Sequence, residues 1–367
     1  MQNNNLKIII SGGGTGGHIF PAIAIANILK KKIPNISILF VGAKGRMEME
    51  KVPAAGYEII GLNISGLQRR LTIKNLLVPF KLLGSLYKAR KIIKQFSPDV
   101  VVGVGGYASG PMLRIASLKN IPTVIQEQNS YPGITNKILS KKVNKICVAY
   151  DNMERFFPKE KIYLTGNPVR DDIQNQEGKK NIGLQHFGLA SDSKVLLVIG
   201  GSLGSKTINE SIQNCLAALA NNNIQLIWQT GKLFYNTAND LVKQYKNINF
   251  KVYDFISKMD LAYAACDIVV SRAGAIAVSE ICVVNKPAIL IPSPNVAEDH
   301  QTKNAISLFN HKAIIFVKDT EARQKLGKEV VDLIKDEEKQ ILLKSNLAGL
   351  CVKNADENIA AVILSLI

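Results

Sequence analysis

"KIIISGGGTGGHIFPAIAIANIL", residues 7–29, sets a β-branched apolar run against an apolar run of helical character, with five glycines and His18 between them. A strand, a glycine turn and a helix in that order is the opening unit of a doubly wound parallel sheet. The pattern recurs at 195–209 as "VLLVIGGSLGSKTIN". Two such openings in 367 residues predict an α/β chain of two Rossmann-like domains facing a cleft, and the length suits two cores better than one.

Strand candidates alternate with helical patterns throughout. They are "LKIII", "ISILFVGA", "YEIIGLNI", "DVVVGVG", "PTVIQEQ", "KICVAY" and "KIYLTG" in the first half. "KVLLVIGG", "QLIWQTG", "INFKVYDF", "DIVVSRA", "PAILIPS" and "AIIFV" follow in the second. The turn "TGNPVR" gives way to the polar "DDIQNQEGKKNIG", which places the boundary between residues 168 and 169.

The net charge of +17 is unevenly spread: residues 1–168 carry +16 and the remainder +1. A polyanionic partner for the first half, a nucleic acid or an anionic membrane surface, explains the asymmetry, whereas a lysine-rich codon bias would raise both halves alike. The five cysteines stand far apart and mostly within apolar runs, so neither a metal site nor a disulfide framework is expected. No apolar run is long enough to span a membrane, and the run before the first glycines is too short for a signal peptide, which predicts a cytoplasmic protein.

Gly12-x-Gly14-x-x-Gly17 satisfies a dinucleotide fingerprint, but no Asp or Glu stands between His18 and Met47 to take a ribose. A glycine loop before a helix still suits a diphosphate, because free N–H groups and the helix dipole converge there. Three such loops occur: 12–17, "GVGGYASGP" at 103–111, and "GGSLGSKT" at 200–207, which fails the P-loop pattern at Ser205. Gly13, Gly14, Gly105, Gly106, Tyr107 and Ser109 are the candidates for such a diphosphate at the first two loops. His18 is either a general base at its helix start or a packing residue, and the neighbouring loop favours the base. In "SRAGAIAVSE", Glu280 can accept two ribose hydroxyls while the N–H groups near Ala275 and Ile276 meet a phosphate. Gln301 of "AEDHQTKNA" can reach a sugar hydroxyl. Residues 71–96 combine Leu76, Leu77 and Phe80 with Lys81 and Lys88, more apolar surface than one buried stripe needs, which suits attachment to anionic lipid.

Taken in order, "GGTGGHIFPAIAIA", "VGGYASGP", "QEQNSYPGITNK", "TGNPVR", "GGSLGSKTIN", "RAGAIAVSE" and "DHQTKNA" resemble the MurG family of N-acetylglucosaminyltransferases, which convert lipid I into lipid II in peptidoglycan synthesis. The resemblance runs through nearly the whole chain and implies a GT-B fold. It implies an N-terminal acceptor domain at 1–168 and a C-terminal donor domain at 169–353, with a last helix at about 354–367 returning to the first. It implies UDP-N-acetylglucosamine as donor, held by Thr15, Gly16, Gly17, Asn129, Arg170, Ser202, Ile256, Ala275, Ile276, Ala277, Val278, Ser279, Glu280 and Gln301. The implied acceptor is undecaprenyl-diphosphate-linked MurNAc-pentapeptide, and the implied chemistry is inverting transfer with His18 or Glu127 as base and no metal or other cofactor. An anionic membrane surface and cell-wall synthesis proteins are the implied neighbours, at the cytoplasmic face of the membrane. His300 departs from the pattern, standing where some members have a second glutamine. A GT-B enzyme with another acceptor, such as a diacylglycerol glucosyltransferase, would share the C-terminal motifs but not "GGTGGH" with "GGYASGP". A nucleic-acid binder would explain the charge but not Glu280 and the paired loops, and the basic half lacks a stacking surface.

Overall fold

The computed structural model describes residues 5–64 and 78–367. The chain divides into two units, Met1–Pro168 with Val352–Ile367, and Val169–Cys351.

In unit 1 the strands are β1 (Lys7–Ser11), β2 (Ser37–Ala43), β3 (Glu58–Leu62), β4 (Val100–Gly103), β5 (Thr123–Glu127), β6 (Lys145–Val148) and β7 (Ile162–Leu164). They form one parallel sheet in the order β3-β2-β1-β4-β5-β6-β7. Ile9 sits in register with Leu39 on one side and Val101 on the other. Strands covered on both faces need apolar residues at every position, which is why "KIII" and "VVV" run without alternation. Ile8 and Ile10 belong to one core with Val100 and Val102, while Ile9 belongs to the opposite core with Val101 and Ile125.

Unit 2 holds β8 (Val195–Ile199), β9 (Gln225–Gln229), β10 (Phe250–Tyr253), β11 (Ile268–Ser271), β12 (Ala288–Leu290) and β13 (Ile315–Phe316). Their order is β10-β9-β8-β11-β12-β13, again parallel. Among the described residues, twelve of the thirteen strands fall within the runs read from the sequence and β1 extends one residue past its run, to Ser11; the two-sheet α/β class is as expected.

The helices that bear on the sites are α1 (Gly16–Lys32), α2 (Glu48–Ala54), α3 (Val78–Phe96), α4 (Ser109–Leu118), α5 (Lys206–Asn221), α6 (Ala275–Val284) and α7 (His300–Asn310). α3 buries Ala89, Ile92 and Ile93 against unit 1 and leaves Phe80, Leu83 and Tyr87 exposed at 72%, 65% and 76%. Their spacing of three and four residues lines them along one face, which continues into exposed Arg90, Lys91 and Lys94. Lys88 turns elsewhere: its ammonium donates to the Gly61 carbonyl at 2.8 Å, and burial, then Lys44, pushes its pKa down. Leu76 and Leu77, and most of "ISGL", lie outside the described residues. No helix among the described residues is long and apolar enough to cross a membrane. Cys147, Cys215 and Cys266 are fully enclosed, and burial pushes their thiols up to about 12, 12 and 11.

The chain's last helix, Ala355–Leu364, inserts Ile359, Ala360 and Ile363, all fully buried, into the core that contains Ile8, Ile10, Ile25 and Leu29. Truncating one of these leaves a cavity the two β-strands and α1 cannot close. Ile363→Ala is expected to destabilise unit 1 by about 3 kcal/mol. Hydrogen exchange should then rise in β1 and β4 and stay unchanged in β8 and β11, whereas uniform acceleration would contradict this assignment.

Candidate active site

The strand order of unit 1 reverses between β1 and β4, so the loops that leave them diverge to opposite faces of the sheet and open a crevice at the carboxyl ends. The two loops meet there backbone to backbone. The Gly13 N–H donates to the Gly105 carbonyl at 3.3 Å. His18, in the first turn of α1, stands against Gly105, where a Cβ would come within 2.9 Å of ring Cδ2 and Nε2. Gly105 also has φ +92°, so no side chain fits by space or by conformation. His18 Nδ1 lies 3.0 Å from the Gly13 carbonyl oxygen and 3.4 Å from Thr15 Oγ1. A carbonyl can only accept, so this contact puts the proton on Nδ1 and makes Nε2 the basic nitrogen. Thr15 is the N-cap of α1 and makes no side-chain cap, and the first turn holds no acid, so the Gly16 and Gly17 N–H groups suit an anion.

Three expected diphosphate ligands are turned inward instead. The Gly13 N–H serves Gly105, the Gly14 N–H donates to Glu48 Oε2 at 2.9 Å, and Ser109 Oγ donates to the Gly106 carbonyl at 2.9 Å. Donation to an anion at this loop therefore passes to the start of α1, Thr15 to Gly17. Tyr107 is half exposed beside it.

Glu127, read as a second candidate base, is a loop organiser. Its Oε1 accepts the Asn129 N–H and side-chain amide at 3.0 and 3.2 Å, and its Oε2 accepts the Gly133 N–H and Asn136 Nδ2 at 3.1 and 2.8 Å. Four donors fill the lone-pair directions of a carboxylate, leaving none for a substrate hydroxyl. Burial pushes its pKa up while these bonds hold it down. Next to it, Gln126 donates to Asn167, Asn167 to the Gln128 carbonyl, and Gln128 to the Val104 carbonyl, each at 2.9 Å. Gln128 thus ties the end of β5 to the loop after β4, and the Asn167 of "TGNPVR" holds Gln126 and Gln128 from the loop after β7.

In unit 2 the same reversal falls between β8 and β11. α6 begins behind Gly274 with no side-chain cap and no acid in its first turn, so its leading N–H groups are also suited to a phosphate. Ala275, Ile276 and Ala277 form that turn, whereas Val278 is buried in the core and Ser279 Oγ donates to the Ala275 carbonyl at 2.9 Å. Glu280 follows, its Oε2 accepting the Tyr263 hydroxyl at 3.1 Å. Burial lifts the Glu280 pKa to about 7, against the pull of the Arg170 guanidinium and the Tyr263 bond, with Asp172 raising it further. Arg170 itself is half exposed and 3.8 Å from Asp172.

A buried glutamine organises the rest. Gln229, at the end of β9, donates to the Gly201 carbonyl at 3.1 Å and accepts the Ile256 N–H at 2.9 Å, so one side chain holds both the Ser202 loop and the Ile256 backbone. Ser202 is exposed and Ile256 is 4% exposed. Gln301, on α7, accepts the Ser293 N–H at 2.9 Å through Oε1, which aligns its side-chain NH2 as the remaining donor. Arg272 bonds the Ile291 and Pro292 carbonyls at 2.9 and 3.0 Å and Asp319 at 2.6 Å, fixing the loop before α6. Arg170, Tyr263 and Glu280 thus form one constellation, while the organisers Glu48, Gln229, Tyr263 and Arg272 escape a reading of motifs. For Gln229 and Arg272 the signal is a polar residue at or just after the end of an apolar strand, whereas Glu48 and Tyr263 stand in helices and carry no such mark. Among the described residues no three His, Cys, Asp or Glu side chains group as metal ligands.

Residues 8–148 match the N-terminal domain of glycosyltransferase family 28, and residues 195–359 match its C-terminal domain. A protein of Flavobacterium psychrophilum named UDP-N-acetylglucosamine–N-acetylmuramyl-(pentapeptide) pyrophosphoryl-undecaprenol N-acetylglucosamine transferase is 53% identical over 98% of both chains. Its namesake in Cytophaga hutchinsonii is 52% identical over 98% of this chain and 97% of its own. The crystal structure of Acinetobacter baumannii MurG superposes with a TM-score of 0.81 at 26% identity, over 98% of this chain and 99% of that one. Both family domains in order, and near-complete alignment with these transferases, place the chain in glycosyltransferase family 28 as a member of the MurG family.

Proposed function

We propose that the protein transfers N-acetylglucosamine from UDP-N-acetylglucosamine to the 4-hydroxyl of the muramyl sugar in undecaprenyl-diphosphate-linked MurNAc-pentapeptide, the step from lipid I to lipid II. The relatives' shared activity supports the reaction, and one observation supports the assignment of roles: His18 donates a hydrogen bond from Nδ1–H to the Gly13 carbonyl, which makes Nε2 the basic ring nitrogen. Unit 2 is the donor domain, where the carboxylate of Glu280 takes the ribose hydroxyls and the start of α6, with Arg170 and Ser202, takes the diphosphate. Gln301 meets the sugar and the Ile256 backbone meets the uracil. Unit 1 is the acceptor domain, with Thr15, Gly16 and Gly17 on the anion and Asn129 on the nucleotide sugar.

An α-linked donor that yields a β-glycoside is inverted in one in-line displacement. His18 Nε2 takes the proton of the 4-hydroxyl as that oxygen attacks the anomeric carbon, and the bond to UDP breaks. The departing diphosphate gains negative charge, which helix N–H groups and Arg170 are placed to stabilise. The exposed stripe of Phe80, Leu83 and Tyr87 with its basic extension is the membrane-facing surface, which would hold the enzyme at the cytoplasmic face of the membrane beside its lipid-linked acceptor.

Three outcomes test this reading. In a lipid I transfer assay, His18→Ala should lower kcat by about 10²- to 10⁴-fold while UDP-N-acetylglucosamine affinity changes less than about twofold. A collapse of affinity with kcat retained would make His18 a ligand. Free Glu280 keeps its proton up to pH about 7, and ribose hydroxyls donate to the ionised form, so donor binding must release that proton. Affinity should therefore fall by about tenfold per unit as pH drops below that value. Glu280→Gln should flatten this dependence and weaken binding by about 10- to 100-fold at pH 8. Lastly, serine at Phe80, Leu83 and Tyr87 together should weaken association with anionic vesicles and leave transfer to a soluble acceptor analogue intact. Equal loss on both would assign the stripe to folding.

A further inference from the structure

Glu48 opens α2 just past the end of β2, and it is 1% exposed. A dinucleotide-binding sheet keeps its ribose-binding acid in this region. Here the carboxylate is folded back into the protein instead. Its Oε1 accepts the Ala43 N–H at 2.9 Å, and its Oε2 accepts the Gly14 N–H at 2.9 Å. The neighbours are shaped around it: a Cβ on Gly13 would collide with the carboxylate, and one on Gly42 would come 2.5 Å from Glu48 Cγ. A buried carboxylate enclosed so closely by glycines is held in one place.

The N–H that Glu48 holds and the carbonyl that His18 holds belong to one peptide group. The Gly13 carbonyl accepts from His18 Nδ1 at 3.0 Å, and the Gly14 N–H on the same amide donates to Glu48 Oε2 at 2.9 Å. Gly106 leaves room for that carbonyl, since a Cβ there would collide with the Gly13 oxygen. Drawing on this, we infer that Glu48 is a positioning residue for His18, acting through the Gly13–Gly14 peptide group. This rests on the reading of His18 as the base.

The physical route is amide resonance. A negative charge on the N–H side favours the form with negative charge on the carbonyl oxygen, so the Gly13 carbonyl becomes a stronger acceptor for Nδ1–H. It fixes the Nδ1–H tautomer, and it stabilises the imidazolium that forms when Nε2 takes the hydroxyl proton. A carboxylate bonded directly to a histidine does the same in hydrolase triads. Interposing a peptide keeps the carboxylate out of reach of the substrate, and no proton needs to travel to it. The other charged groups on the surrounding elements are Lys44 and Arg46 before α2, Glu50 and Lys51 within it, and Lys88 of α3.

The test uses the full-length protein with lipid I and UDP-N-acetylglucosamine, and 15N NMR of the histidine ring nitrogens. Glutamine can satisfy only one of the two N–H groups and carries no charge. Glu48→Gln should lower kcat by about 10- to 100-fold, the range seen when a group that orients a functional histidine is removed. It should change KM for either substrate less than about twofold and move the His18 imidazole titration to lower pH. In a His18→Ala background the same substitution should cost less than about twofold, because the group it serves is gone. Fully additive losses, or an unmoved His18 titration, would make Glu48 a loop-shaping residue only. A His18→Ala enzyme with normal kcat would sink the base assignment instead, while the titration still decides the coupling of Glu48 to His18. Should Glu48→Gln fail to fold, the wild type gives the answer. The Gly14 amide resonance should shift with the His18 titration and lose that shift in His18→Ala, and a Gly14 resonance that ignores the titration overturns the inference.

Discussion

The glycine loops of unit 1 depend on one constraint: two loops leave β1 and β4 in opposite directions and must still pack backbone against backbone. The contact from the Gly13 N–H to the Gly105 carbonyl is that junction. Side chains are excluded around it because carbonyls, a carboxylate and an imidazole occupy the space where they would stand. The glycines of this stretch are thus spacers for protein groups as much as for a ligand. The loop is preorganised, so its geometry exists before any substrate arrives and binding need not supply the ordering entropy.

Three buried or half-buried glutamates show how environment separates roles. Glu127 is saturated by four N–H donors and spends its charge on a loop. Glu48 divides its oxygens between the ends of β1 and β2. Glu280 accepts from one hydroxyl with a guanidinium in the vicinity, and burial pushes its pKa up to about 7. An acid in that state is suited to hydroxyl donors brought by a ligand.

The strands were legible because a parallel sheet buried on both faces demands unbroken β-branched runs, and "KIII", "VVV" and "VLLVI" have no other economical reading. His18 and Glu280 were legible because each sits beside a glycine turn at a strand end. Glu48 was not, since its bond to Gly14 spans 34 residues and no periodicity links them. Gln229 stayed hidden for a related reason: a lone glutamine at the end of an apolar strand announces burial but not which two loops it will fasten. For Glu127 the residues were visible and the number of its donors was not, and that number separates an organiser from a base. Lys88 likewise read as part of a basic face until the Gly61 carbonyl claimed it.

The chain's last helix carries a consequence for how the protein is made. Ile359, Ala360 and Ile363 complete the core built on β1 and β4, yet they are synthesised after every residue of unit 2. Domains fold as units during synthesis when their residues are available. Unit 2, a single continuous segment, can therefore reach its native state on the ribosome, while unit 1 waits with an open apolar face until the helix Ala355–Leu364 has been made. The unit whose strands are made first is thus the one whose core closes later, once that helix is in place.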